Sequence, residues 1–360
     1  MKLNMIRRCA AGVSLTLAIC SFASAAAVSF KTVNLPARDL AYSSVSGMVY
    51  ASLPDTSATF PNTLMPINPN TATLGTGIPI GFNPGKIAVS SNGANLFTVI
   101  GGDVAVQRYN VPSASTDQFF AVSGGPRISE IYGVPGRPNA VLFHEYDPGT
   151  SPPAVATVVY ENGVLLPNQV GHGVGVGGPD IIAVDPTDGT KAYGYQNTIS
   201  SYDHVPMTIG PNGIVTSGPS SLSGIMNGSN IGRIAIVGDR LFNDRGQIYS
   251  RSLGIQLASF QAGQSFVIDV AGNKFFTVAS SGTTQTLRAY SLSTLTLLQT
   301  DTVSPVSGTA SSLTRFGDNG LAFRTSAGQV VFVGAVPEPT SLALGSAALL
   351  LGFAARKRVS

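Results

Sequence analysis

Charge is the scarcest ingredient of this sequence. Asp, Glu, Lys and Arg make up 11% of its 360 residues, less than half of the roughly 25% found in an ordinary globular domain. A charged, extended coil is nevertheless excluded, because apolar residues at 43% run through the whole chain and bury enough surface to offset chain entropy. Cysteine is nearly absent: Cys9 and Cys20 both lie in the first 20 residues, so the body has no thiol and no possible disulfide. A chain of about 300 residues holds itself together on its core alone. Histidine is limited to His144, His172 and His204, with no metal-ligand spacing among them. Long runs of Ala, Leu, Glu and Lys at helical spacing are also missing, which excludes a helical bundle. Glycine and proline, with 41 and 23 residues, are in excess, so tight turns are frequent and short strands are expected between them.

The two ends read as addresses. Lys2, Arg7 and Arg8 precede an apolar stretch over residues 10–19, and Ala23, Ser24 and Ala25 form a small-residue cleavage site, the order of a secretory signal peptide. Ile19 before Cys20 is too bulky for lipoprotein processing, so cleavage is expected after Ala25, giving a signal segment over residues 1–25. At the other end Val336, Pro337, Glu338 and Pro339 precede an apolar segment over residues 342–355, closed by Arg356, Lys357 and Arg358. Residues 340–355 would make a helix of about 24 Å, short of the roughly 30 Å hydrocarbon core, so transient inner-membrane anchoring is expected. Basic residues stay cytoplasmic, which places the body between the two signals outside.

Pro337, Glu338 and Pro339, followed by the Gly/Ala-rich apolar segment and the terminal basic cluster, resemble the PEP-CTERM sorting signal. The resemblance implies recognition by an exosortase, a membrane transpeptidase with a cysteine nucleophile. It also implies a Gram-negative host that makes exopolysaccharide, and a biofilm setting. A stiff Pro-Glu-Pro stretch short of backbone donors suits docking in an enzyme cleft above a membrane. A turn before a permanent single-pass anchor is the alternative, and it leaves the outside location unchanged.

Between the signals the sequence repeats. The unit is a short apolar strand, a polar turn ending in Gly, and a second strand with aromatics. It is clearest in Ile87, Ala88, Val89, the turn 90–93, and Leu96, Phe97, Thr98, Val99. Turn glycines at 47, 93, 136, 189, 238, 272 and 320 recur about every 45 residues, enough for one four-stranded blade of a β-propeller. The last unit, residues 313–333, offers three strands before the sorting signal. Residues 28–35 supply the missing fourth, so the expected fold is an all-β seven-bladed propeller over residues 28–335, its last blade closed by the N-terminal strand, followed by a short sorting helix in 336–360. The alternative is a β-sandwich or two small β-domains. The repeats resemble the YVTN family of seven-bladed propellers in the glycine before the aromatic strands 96–99 and 275–278. The stretch Gly320, Leu321, Ala322, Phe323 is similar to the closing blade of its secreted members. The literal tetrapeptide is absent, and with no Trp in the chain a WD signature cannot be met.

Chemistry-bearing groups are few. The three histidines are expected on solvated loops. Glycines at 171–178 lack the Lys and Ser/Thr pair of a phosphate loop, and Asp185, Asp188 and Gly189 lack the further acids of a calcium loop. Of the 21 basic residues six lie in the two end segments, against Glu338 alone of the 18 acidic ones, so the body carries a net charge of about −2. A nucleic-acid partner is thereby disfavoured. Aligning the repeats places Asp39, Lys86, Glu130, Asp180 and Arg233 before the inner strands of five successive blades, as a mixed-charge ring at the channel mouth. The alternative for this ring is mutual neutralisation. No cofactor, metal or catalytic residue is expected. The reading is an exported, exosortase-processed surface or matrix binding or scaffold protein. Its partners are the Sec translocon, signal peptidase, an exosortase-like transpeptidase, and exopolysaccharide or surface proteins. The alternative is a lactonase-like hydrolase working at the channel mouth, although Lys86 and Arg233 interrupt the acids that such an enzyme gathers around its ion.

Overall fold

A computed structural model describes residues 28–334, apart from 123, 172–178, 199–201, 219–225, 227–230, 262 and 264. Short apolar segments bounded by Gly- and Asn-rich turns form strands, and among the described residues these strands assemble into seven antiparallel sheets. The inner strands are Asp39–Ser43, Ile87–Val89, Arg127–Val134, Ile181–Val184, Ile234–Val237, Ser265–Asp269 and Ala310–Phe316. In the first six sheets the strands follow outward in chain order. The seventh runs outward from Ala310–Phe316 through Gly320–Thr325 and Gln329–Val333 to Phe30–Asn34. The N-terminal strand thus closes the last blade, in a register from Phe30 opposite Val333 to Asn34 opposite Gln329. The protein is a seven-bladed β-propeller.

Each blade buries both faces, which explains why its strands read as continuous apolar runs rather than as alternating ones. In Gly320–Thr325, Leu321 and Phe323 enter the seam between the sixth and seventh blades, while Ala322 enters the seam between the seventh and the first. Phe275 and Phe276 divide in the same way between two seams. The core is therefore a set of seven seams arranged around an axis. Each fully buried Phe or Leu contributes about 1.5–3 kcal/mol, and each seam needs both of its blades in place. Two outer edges are split. Thr73–Leu74 and Ile78–Pro79 both pair with Thr63–Asn68, and Val164–Leu165 and Val170–Gly171 both pair with Ala154–Glu161.

The turn glycines have more than one cause. Gly47, Gly93, Gly136 and Gly238 adopt left-handed φ between 55° and 77°, which glycine does without steric cost. In the sixth and seventh blades the left-handed residues are Asn273 and Gly317, not Gly272 and Gly320. Gly189 is required by proximity: a Cβ there would overlap the Pro135 carbonyl of the preceding blade. Gly133 lies against the Val89 carbonyl of its own preceding blade in the same way. Gly133→Ala should therefore lower stability by about 1–3 kcal/mol, as measured by urea unfolding; an unchanged midpoint would contradict this close approach.

Candidate functional site

The inner strands enclose an axial cavity of about 520 Å3. Pro135 and Pro186, which line it, follow the ends of the strands Arg127–Val134 and Ile181–Val184. Asp39, Lys86 and Arg233, which also line it, stand at or just before strand starts. The cavity therefore runs along the inner strands, with its charges at one mouth.

Four of the five aligned charges, Asp39, Lys86, Glu130 and Arg233, meet in this cavity. Asp180 turns elsewhere: its carboxylate accepts the backbone N–H groups of Asn197 (2.7 Å) and Thr198 (2.9 Å) and the Thr198 hydroxyl (2.8 Å). Two cations missing from the repeat alignment complete the mouth, Arg38 and Arg324. Arg38 directly precedes Asp39 and was masked by a one-position-per-blade alignment. Arg324 sits on the second strand of the seventh blade, opposite Ser311, and only the antiparallel register brings it to the level of the strand starts. Its Nε donates to Ser312 Oγ at 3.2 Å. Burial lowers its pKa from the usual arginine value; Asp39 opposes that shift and Arg38 adds to it.

The carboxylates also join blades. Asp39 Oδ2 accepts the Ile87 N–H at 2.9 Å, and Glu130 Oε2 accepts the Ile182 N–H at 2.8 Å, in each case from the next inner strand. Ser265 does the same for the Leu313 N–H at 3.0 Å, and Arg233 Nη1 lies 3.4 Å from Ser265 Oγ. A side-chain acceptor on one inner strand thus ties its blade to the next at three places around the ring. Burial pushes the Glu130 carboxyl above the usual range, opposed by Lys86, the Ile182 N–H and Arg233.

The histidines depart from expectation. His144 lies in the strand Arg137–Tyr146 and is 1% exposed. Burial pulls its pKa down to about 4, against a backbone hydrogen bond at Ala156. His204 is fully buried, packed on the rings of Tyr193 and Tyr195 at 5.8 and 5.0 Å. Burial holds its pKa at about 4 as well, with Asp203 opposing. Neither is a solvated loop residue, because strand alternation carries both into the blades. Burial raises the neighbouring Glu145 to about 7. Asp185 and Asp188 build turns: Asp185 Oδ1 accepts from Thr187, and its Oδ2 accepts the Gly238 N–H of the next blade at 2.9 Å. Among the described residues no three His, Cys, Asp or Glu side chains converge as metal ligands, and no helix is long and apolar enough to cross a membrane. Ala23, Ala25, His172, Val336, Pro337, Glu338, Pro339, Arg356, Lys357 and Arg358 lie outside the described residues.

Residues 335–358 match the PEP-CTERM protein-sorting motif, which marks an exported precursor destined for an exosortase. No curated protein matches the chain in sequence. Among solved structures, the chain is similar to the β-propeller domain of Cps50 (Swd1) from Myceliophteria thermophila, with a TM-score of 0.58 and 9% identity over 84% of this chain and 98% of that one. At that identity the likeness concerns the fold alone.

Two outcomes follow. Glu130→Ala leaves the buried Ile182 N–H without its acceptor and should cost about 1–3 kcal/mol, whereas Glu130→Gln keeps an acceptor and should cost clearly less; equal losses in urea unfolding would remove the tie between blades. His144 and His204 exclude protons that the unfolded chain takes up between its ordinary pKa of about 6.5 and the folded value of about 4, so stability falls as pH falls through that window. Glu145 acts oppositely between about 4.5 and 7, and the carboxyls of Glu130 and Asp244, raised by burial, act in the same sense as Glu145, so the histidine contribution is read as a difference. Between pH 7 and pH 4 the Tm of the wild type should fall further than that of a His144→Gln variant, and equal falls would contradict a buried neutral histidine at 144.

Proposed function

We propose that the protein is an exported, exosortase-processed propeller that serves as a cell-surface or extracellular-matrix binding or scaffold module. The observation that carries this reading is the sorting motif at 335–358 directly behind a closed seven-bladed ring. In this reading residues 1–25 are a signal peptide removed after Ala25, residues 28–335 are the working propeller, and residues 336–360 hold a transient span in the inner membrane. Val336 to Pro339 would dock in the transpeptidase, and Arg356, Lys357 and Arg358 would stop transfer on the cytoplasmic side. Sec translocon and signal peptidase act first, exosortase afterwards, and exopolysaccharide or surface proteins are the final partners.

Binding is favoured over lactonase-like catalysis by the engagement of the two channel carboxylates. Asp39 and Glu130 each spend an oxygen on a backbone N–H, and cations stand between them. Intact mass and fractionation from the native host test the sorting reading, with and without alanine at Pro337, Glu338 and Pro339. The expected result is a mature chain starting near Ala26 and ending near the motif, and an uncut precursor held in the inner membrane for the variant. An unchanged full-length C-terminus in both would overturn it.

A further inference from the structure

The charges at the channel mouth do not cancel. Arg38, Lys86, Arg233 and Arg324 face Asp39 and Glu130, in a body whose overall charge is about −2. Both carboxylates are partly occupied by backbone donors of the next blade. Two of the cations are also held: Arg324 by Ser312, and Arg233 by Ser265 and by the Phe266 ring, 5.2 Å from its guanidinium carbon. The other two are not. Among the described residues the side chains of Arg38 and Lys86 are exposed at the cavity and make no hydrogen bond or ion pair.

We propose that this mouth binds the oxyanion of a small ligand, a carboxylate or phosphate carried on a body of about sugar size. Four cations from four different blades converge where an anion gains from all of them at once. The site lies in a recess where low-dielectric walls strengthen that attraction. Asp39 and Glu130 space the cations and prevent their mutual repulsion from opening the ring. The 520 Å3 cavity falls within the range of roughly 300–1,000 Å3 typical of small-molecule sites, and Val184, Val267 and Leu313 offer an apolar wall to the ligand body. Arg38 and Lys86, free of structural duties, are the groups that meet the ligand first; the forked Arg233 and Arg324 suit bidentate capture deeper in. The inference rests on the binding reading above and is independent of the sorting reading.

The test is calorimetric titration of the full chain at low salt with inorganic phosphate, glucuronate and neutral glucose, repeated with an Arg38→Ala, Lys86→Ala double variant. At least one anion should bind and glucose should not. The variant should melt no lower than the wild type and lose about tenfold or more in affinity, and added salt should weaken the wild-type interaction. Tighter binding of phosphate than of glucuronate assigns a phosphorylated ligand, and the reverse assigns a carboxylated one. Failure of both anions to bind, or a double variant that binds them unchanged, overturns the proposal. Glucose binding as tightly as the anions would also overturn it, while leaving a binding module. None of these outcomes alters the processing seen by mass, so the two readings fail separately.

Discussion

The structure depends on one pairing, that of Phe30–Asn34 with Gln329–Val333. A propeller blade has no stability of its own, since both of its faces are apolar and each needs a neighbour. Without the N-terminal strand the seventh blade would end on an open edge, and the seams on its two sides would lose Val28 and Leu35. The pairing also brings the ends of the described body together, with the Gly334 N–H bonded to the Ser29 carbonyl at 3.1 Å. The sorting motif begins one residue later, at 335. Both ends of the described body therefore lie side by side at one end of the same blade, and a cut close to either one leaves the closing ladder whole. The two processing events proposed above are compatible with one fold for this reason.

Closure also fixes the axis. Once seven inner strands stand around a common line, the starts of those strands must face one another across the axial recess, whatever residues occupy them. Apolar residues there would invite collapse or association, and charges of one sign would repel. Here the chain places acceptors that capture a backbone N–H of the next inner strand, at Asp39, Glu130 and Ser265. A buried donor left without an acceptor costs about 1–3 kcal/mol, so these side chains have a structural duty before any ligand arrives. The cations among them do not share it equally, and that inequality separates frame from recognition surface.

The fold was legible because its signals are local and repeated: a glycine-rich turn between an apolar strand and an aromatic one, seen seven times, with a spare strand at the front to complete the last copy. The strand Gln329–Val333 and its N-terminal partner could be placed from the sequence for that reason. Details set by distant contacts were not legible. Gly189 reads as a turn glycine but is small because Pro135 crosses it, and in the last two blades the left-handed residues are Asn273 and Gly317 rather than the turn glycines Gly272 and Gly320. His144 and His204 looked solvated because sparse histidine is usually a surface residue, yet strand alternation buries both. Asp180 has the right position in the repeat, but a neighbouring loop offers its carboxylate three donors, and local hydrogen bonds win over convergence on the axis. Arg324 escaped because register, not sequence order, decides which residues share a level.

The channel mouth is a composite that no single repeat contains. Arg38 belongs to the first blade, Lys86 to the second, Glu130 to the third, Arg233 to the fifth and Arg324 to the seventh, so their proximity is a property of the closed ring alone. In the unfolded chain they are dozens to hundreds of residues apart, and their mutual repulsion is screened by water. Folding gathers four positive groups against two negative ones, at an electrostatic cost that the seams offset. A bound anion would relieve that cost and so act in the same direction as the closing strand. Ligand and ring closure are then thermodynamically linked: whatever occupies the mouth favours the closed ring over the open one by as much as its affinity for the closed ring exceeds that for the open chain.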